Sequence, residues 1–317
     1  MNLTIILTVY NKAPYLKRVF EALLTQEDTR DGEFEVLAVN DGSTDDSAAI
    51  LEEYAKKDAR VRVMTQENQG LSMARNNGTE IARGEYVWHV DADDSVSPDA
   101  VRKICDAMAT KPDIIAIYAR TEGIDKVRNQ IPPSAKDGKD IILSHNFQPN
   151  AAFNILRRSF VEENGLSFFP GIYHEDSEFT PRMLYAAKSV VVVPEVLYTF
   201  FRVPNSITQV PRVKRAFDNL IVAESLNRFV EENGEVGTTI GQVLDNKISV
   251  LINNAFNVIV QNDSVEQRRF CELFKSKPHM LRPLRNASKI KYRIEAFLFK
   301  MFPSNTIGIY KIMINFG

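Results

Sequence analysis

Only two cysteines occur in the 317 residues, Cys105 and Cys271. They are far apart and share no Cys-x-x-Cys or Cys/His spacing, which argues against a disulfide framework or a structural zinc site and suits a reducing compartment. No eighteen apolar residues run together without a charge, so a spanning helix is not expected. Met1 to Val9 lacks a basic segment ahead of a long apolar run, so it reads as a first strand rather than a signal peptide. Neither charge sign dominates: 39 Lys and Arg stand against 41 Asp and Glu, a net charge of −2. General affinity for nucleic acid is therefore not implied. Internal repeats and low-complexity tracts are also missing. What remains is a chain with 44% hydrophobic and 25% charged residues, long enough to bury a sizeable core.

Apolar runs at strand length alternate with apolar stripes at helical spacing. Leu3 to Val9 is followed by Leu16, Val19, Phe20, Leu23 and Leu24, with Pro14 tolerated in the first helical turn. Phe34 to Val39 precedes a stripe of Ala48, Leu51, Tyr54 and Ala55. Val61 to Thr65 precedes Leu71, Ala74, Gly78, Ile81 and Ala82, and Glu85 to Val90 ends at Asp91. Four such βα units predict a mostly parallel, doubly wound sheet with right-handed crossovers. Further on, the pattern predicts a helix over Asp99–Met108, a strand over Ile114–Tyr118 and a loop over Glu122–Lys139. Two more strands follow at Ala151–Leu156 and Ser189–Val193, with a helix from about Asp176 to Ala187 between them. After Pro211 strand signals vanish, so residues 211–317 read as a separate helical region. From Phe274 onward nine Lys and Arg face a single Glu, which makes that stretch a basic module on an acidic body.

In sheets of this kind ligands bind beyond the carboxyl ends of the strands. Three such ends are polar. Val90-Asp91-Ala92-Asp93-Asp94 clusters carboxylates that repel one another unless a cation or hydrogen-bond donors compensate; Mg²⁺ is held in this way by one or two carboxylates plus substrate phosphates. Taken alone, the same acids equally suit a solvated turn that caps the helix after Pro98. Asp41-Gly42-Ser43 offers an acceptor-only carboxylate for a uracil imide or a ribose, or else a helix start. Tyr10 offers a flat face on which a base can stack, or a half-buried core ring. The coincidence of all three carries the functional reading.

Four ordered segments resemble the family 2 glycosyltransferases of the GT-A fold. They are Ile5-Ile6-Leu7-Thr8-Val9-Tyr10-Asn11, Val36-Leu37-Ala38-Val39-Asn40-Asp41-Gly42-Ser43-Thr44-Asp45, Asn68-Gln69-Gly70-Leu71-Ser72-Met73-Ala74-Arg75-Asn76-Asn77-Gly78, and Gly84-Glu85-Tyr86-Val87-Trp88-His89-Val90-Asp91-Ala92-Asp93-Asp94. The resemblance implies an α/β, Rossmann-like GT-A catalytic domain over 1–210, with its nucleotide-sugar half at 1–110 and its acceptor half at 111–210. It implies donor contacts from Thr8, Val9, Tyr10, Asn11, Asp41, Gly42, Asn68, Arg75, Asp91 and Ala92. Tyr10 would lie against the base, Asp41 would hydrogen-bond it, and Arg75 would approach the diphosphate. Asp91 and Asp93 form the family's Asp-x-Asp pair for Mn²⁺ or Mg²⁺, with Asp93 as the principal ligand and Asp94 structural. Thr8 stands where the family commonly has Pro, and Asn40 where it commonly has Asp, which leaves one carboxylate fewer near the base.

Transfer with inversion needs a base opposite the leaving diphosphate. His174-Glu175-Asp176 resembles the family's Glu-Asp motif, which implies Asp176 as base and Glu175 as a group orienting the acceptor; two acids at a helix start also interact well with its dipole. His89 reads as a packed histidine, while His145 and His279 carry no partner signal. Arg202-Val203-Pro204-Asn205-Ser206-Ile207-Thr208 resembles a loop after the family's last strand, where Arg202 would approach the diphosphate. The expected activity is hexosyl or N-acetylhexosaminyl transfer, from a UDP-linked donor to a saccharide or lipid-linked hydroxyl, in surface polysaccharide synthesis. Two other readings stand beside it: a sugar nucleotidyltransferase, against which the glycine-free Tyr10-Asn11-Lys12-Ala13-Pro14 argues, and a non-catalytic nucleotide-sugar binder. Lys289 to Phe302 mixes cations with large apolar residues. It suits either a membrane interface or a helix packed on the catalytic domain; the expected location is cytoplasmic, and on the first reading peripheral at the inner face of the membrane.

Overall fold

The predicted strands and helices occur in order, with short unpredicted elements between them, in the computed structural model, which describes residues 1–30, 32–203 and 213–315. The first half contains β1 (Leu3–Val9), α1 (Ala13–Leu24), β2 (Phe34–Asp41), α2 (Ser47–Lys57), β3 (Val61–Gln66), α3 (Leu71–Glu80) and β4 (Tyr86–Asp91). Then come β5 (Ser95–Val96), α4 (Ala100–Ala107), β6 (Ile114–Thr121), β7 (Ile124–Arg128), α5 (Gly138–Leu143), β8 (Asn154–Arg157), α6 (Arg158–Glu163), α7 (Glu175–Ala186) and β9 (Val190–Phe200). The helices α8 (Val213–Glu232), α9 (Thr239–Ile259), α10 (Ser264–Lys275), α11 (Leu281–Asn286), α12 (Ile290–Met301) and α13 (Thr306–Asn315) complete the described chain. No strand is found among the described residues after β9.

One sheet runs β3-β2-β1-β4-β8-β6-β9-β5, with β7 paired to β6 outside that path. β1 to β4 pair in parallel. β8 is antiparallel to both β4 and β6, so β6, and β9 parallel to it, point the same way as β1 to β4. The sheet is thus mostly parallel, as the βα repeats require. Every residue of β1 is buried, as expected of a strand covered on both faces. The α1 stripe of Leu16, Val19, Phe20 and Leu23 is fully buried against it; at about 1.5–3 kcal/mol each, these four side chains are a main hold on that face. On α3, a Cβ at Gly78 would stand 2.7 Å from the Ile6 side chain and 3.1 Å from that of Val39. Glycine there lets the helix backbone lie close to the sheet.

Two expectations need correction. Glu122–Lys139 is not simply a loop: it contains β7, antiparallel to β6, and the start of α5. Four of the five β7 residues are exposed, so the strand carries no apolar alternation to reveal it; Gly123, at φ 70°, makes its turn. Ala151–Leu156 divides into a 3₁₀ turn at Ala151–Phe153 and the strand β8.

The described chain forms two compact units. One comprises Met1–Gly171 and Arg182–Pro204; the other comprises Ile172–Pro181 and the helices after Asn205. The short stretch Ile172–Pro181 therefore groups with the helices. In that second unit Phe256 is the centre of an aromatic cluster, with ring centroids 5.0–5.2 Å from Phe270, Phe274, Phe299 and Tyr310. Among the described residues no helix is long and apolar enough to cross a membrane.

Candidate active site

Parallel register sets the site. Thr8 on β1 pairs with Val39 on one side and Asp91 on the other, Val9 pairs with Asn40, and Asp41 pairs with Gln66. Thr8 to Asn11, Asn40 to Gly42 and Asp91 to Asp94 thereby share one carboxyl-terminal sheet edge. Thr8, Val9 and Ala92 are buried, whereas Tyr10 is 47% exposed and free to offer a ring face.

The loops at this edge are laced together. Asn11, in the left-handed region at φ 51°, accepts the Thr44 N–H at 2.8 Å and donates its own N–H to Ser43 Oγ at 3.1 Å. Gly42 has φ 70°, and a Cβ on it would lie 2.8 Å from the backbone nitrogen of Asn68. Glycine is therefore required twice over, by conformation and by space. The buried Asp41 carboxylate accepts from Gln66 Nε2 at 2.8 Å, Gln69 N–H at 2.8 Å and Gly70 N–H at 2.9 Å. It fixes the turn into α3, and Asn68, itself exposed, belongs to that turn.

Each acid after β4 has a different compensation. Asp91 accepts from Arg75 at 3.1 Å; that guanidinium is 2% exposed and lies 5.2 Å from the centre of the Phe168 ring. Asp93 forms an ion pair with Lys12, the residue before α1, and its carbonyl accepts from Arg18. Asp94 is buried, accepting from the Tyr198 hydroxyl at 2.7 Å and the Phe201 N–H at 3.0 Å. Burial, and then the neighbouring Asp91 charge, push its pKa up to about 8, so it holds a proton at neutral pH and serves the framework. His89 packs edge-on against Phe168 at 5.2 Å, and burial drives its pKa down to about 3. It is a neutral, packed histidine.

Glu175 and Asp176 open α7 in the second unit, sharing its first turn with Glu178. Glu175 is buried and Asp176 partly exposed, while Glu178 accepts from Ser225 at 2.8 Å. His174, at φ 66°, has its pKa lowered by burial and then by Arg215. Arg202 is exposed; Pro204 to Thr208 of the loop beyond it lie outside the described residues. Sequence reasoning missed Lys12, Arg18 and Tyr198. Lys12 directly follows the first polar segment, so only its cationic character, opposite an acidic strand end, could have flagged it.

Among the described residues no three His, Cys, Asp or Glu side chains form a cation cage. The oxygen donors of Asp91 and Asp93, with side-chain exposures of 28% and 17%, suit a divalent ion that completes its shell from substrate phosphates. The Lys12 ammonium beside Asp93 shows that the position attracts positive charge.

An α/β sheet of this topology with an acidic end to its fourth strand is the GT-A architecture, and the comparisons agree. Residues 4–169 match the family model for glycosyl transferase family 2. The chain belongs to that family. It is 33% identical over 221 residues to the uncharacterized glycosyltransferase EpsJ of Bacillus subtilis, a match over 66% of this chain and 63% of EpsJ; the chain thus spans less than two thirds of that relative. It shares its fold with S. aureus TarS 1-349 in complex with UDP-GlcNAc, at TM-score 0.76 and 18% identity over 99% of this chain and 90% of that one. It also matches the mannosyltransferase PcManGT from Pyrobaculum calidifontis in complex with GDP-Man and Mn²⁺, at TM-score 0.56 and 16% identity over 95% and 87%.

Proposed function

We propose that the chain is an inverting, metal-dependent glycosyltransferase that moves a sugar from a nucleoside diphosphate, UDP by preference, to a hydroxyl of a saccharide or lipid-linked acceptor in surface polysaccharide synthesis. The observation that carries the reading is the alignment by strand register of an exposed Tyr10, a buried Asp41 and the Asp91/Asp93 pair on one sheet edge. The donors in the TarS and PcManGT complexes support the substrate class, and the Mn²⁺ in the latter supports metal use.

Tyr10 stacks on the base. Asp41 has three of its carboxylate's roughly four acceptor positions engaged, so one lone pair is left for the nucleoside. Asp91 and Asp93 would hold Mn²⁺ or Mg²⁺, which as a Lewis acid neutralises charge on the departing diphosphate. Arg75, already oriented by Asp91 and Phe168, adds fixed positive charge there without reorganisation. Asp176 takes the proton of the acceptor hydroxyl as it attacks the anomeric carbon, and Glu175 orients the acceptor.

The test combines a panel of UDP-, GDP- and dTDP-sugars in a thermal-shift assay with Mn²⁺ and transfer assays on the Asp93→Ala variant. A UDP-sugar should stabilise the protein more than the others, and the variant should lose metal-dependent transfer. An alanine variant that keeps near-normal metal-dependent rates would overturn the assignment. NMR of the product reads the anomeric outcome separately.

A further inference from the structure

The helix α12 carries two apolar stripes rather than one. Tyr292, Ala296 and Phe299 are buried, and with them Glu295, whose carboxylate accepts from the Asn253 amide at 2.7 Å. Phe299 stacks on Phe256 with centroids 5.0 Å apart. This face anchors the helix in its own unit. Ile290, Ile294, Phe297 and Met301 recur at the same helical spacing on the opposite side, and they are 66%, 45%, 62% and 56% exposed. Phe302, just past the helix, is 55% exposed and extends the patch.

Cations border this second stripe. At 3.6 residues per turn, Lys289, Arg293 and Lys300 fall on one flank and Lys291 on the other. Lys289, Lys291, Arg293 and Lys300 are all exposed, and the one acid of the helix, Glu295, is on the buried face. A surface helix of a self-contained unit needs only one apolar face. Large side chains held in water on the opposite face, with three cations along one flank and Lys291, 4.0 Å from the Glu295 carboxylate, on the other, match a helix that lies in a membrane interface.

We propose that this outer face of α12 docks the protein onto an anionic lipid surface. Ile290, Ile294, Phe297 and Met301 enter the boundary between head groups and acyl chains, while Lys289, Arg293 and Lys300 meet the head-group charge. A lipid surface is favoured over a protein partner by the charge pattern: exposed Lys289, Arg293 and Lys300 line one flank of the apolar stripe, with no exposed acid on the helix to select an oppositely patterned partner. The inference does not depend on the transfer reading, since docking needs neither donor nor acceptor.

Flotation of the full chain, without nucleotide, tests it on vesicles of phosphatidylcholine alone and of phosphatidylcholine with phosphatidylglycerol. The wild-type protein should partition several-fold better to the anionic vesicles and lose that advantage at high salt. Ile294→Glu with Phe297→Glu should cut partitioning at least about tenfold. Lys289→Gln, Arg293→Gln and Lys300→Gln together should erase the anionic preference, each cation counting for about fivefold. These side chains are exposed, so the melting temperature should hold; Phe297→Ser serves if the glutamates disturb it. Wild-type protein that floats no better with anionic vesicles than without lipid would overturn the proposal, as would variants that float like wild type. A dimer seen by light scattering and dispersed by Phe297→Glu, with no vesicle binding, would assign the face to a second copy instead.

Discussion

Replacing Asp41 by Asn separates its structural work from its proposed contact with the nucleoside. The carboxylate is 3% exposed and takes three donors at 2.8–2.9 Å from Gln66, Gln69 and Gly70. An amide has only one oxygen. Turned to serve Gln66 and Gln69, it points Nδ2 at the Gly70 N–H, so two donors face each other at a buried contact. One charge-assisted bond, about 1.5–3 kcal/mol, is lost outright, and the other two fall to ordinary neutral strength. The expected destabilisation is therefore about 2–4 kcal/mol, read as a lower urea midpoint at unchanged slope. Gly70, at φ 85°, opens α3, which carries Arg75. Protease nicking near Asn68 and Gly70 should therefore rise in the variant. Stability within about 0.5 kcal/mol of wild type would refute the account of Asp41 as the tether of this turn, whatever happens to nucleotide affinity.

Asp176→Asn should lower the rate of transfer by about 10²–10⁴ while leaving nucleotide affinity in calorimetry unchanged; unaltered turnover would remove Asp176 as the base. His89→Phe should change how stability depends on pH. The His89 pKa is lowered from 6.5 to about 3, so the stability it confers is fully present above pH 6.5 and is lost as pH falls toward 3. From pH 7.5 to 5 the wild type should lose ~2 kcal/mol relative to the variant. Asp94, raised to about 8, contributes stability that is lost as pH rises from its unfolded value toward 8, and this cancels between the two proteins; parallel urea midpoints across that range would refute a buried neutral His89. Lys12→Met should cost about 1 kcal/mol without metal, the scale of a partly exposed pair, and tighten Mn²⁺ binding by about fivefold in electron paramagnetic resonance titrations. Weaker Mn²⁺ binding would show that Lys12 assists the ion rather than competes with it.

Periodicity made much of the fold readable. β1, β2 and β4 are apolar runs buried along nearly their whole length, and α1 repeats its apolar residues at 3, 4 and 7. Such segments bury so much apolar surface that tertiary context has little to override. β7 was illegible for the opposite reason: Ile124-Asp125-Lys126-Val127-Arg128 gains its strand identity from hydrogen bonds to β6, which leave no mark on hydropathy. The positions of Asp41, Asp91 and Asp93 at the ends of β2 and β4 were legible as polar punctuation after apolar strands. Their partners were not. Lys12 and Asp93 lie 81 residues apart, and Tyr198 and Asp94 lie 104 apart, so only the register of the sheet brings either pair together.

That register answers the electrostatic difficulty posed by three carboxylates within four residues. Two like charges about 4 Å apart near a protein surface repel by roughly 4 kcal/mol, enough to threaten a strand end that had no remedy. The fold supplies three remedies of different kinds. Arg75, buried and 5.2 Å from the centre of the Phe168 ring, offsets Asp91 with a guanidinium at 3.1 Å. Asp94 escapes the repulsion by keeping its proton, at the bottom of a hydrogen-bond chain that runs from the Asp91 N–H through the Tyr198 hydroxyl. Asp93 alone depends on a lysine that is 29% exposed and 5.7 Å from the centre of the Tyr15 ring, and a partly exposed lysine is more readily displaced than a buried arginine. Of the three acids, the one whose compensation is most easily exchanged for another cation is thus the one proposed as principal metal ligand, while the other two have partners that hold the strand end in shape during the exchange.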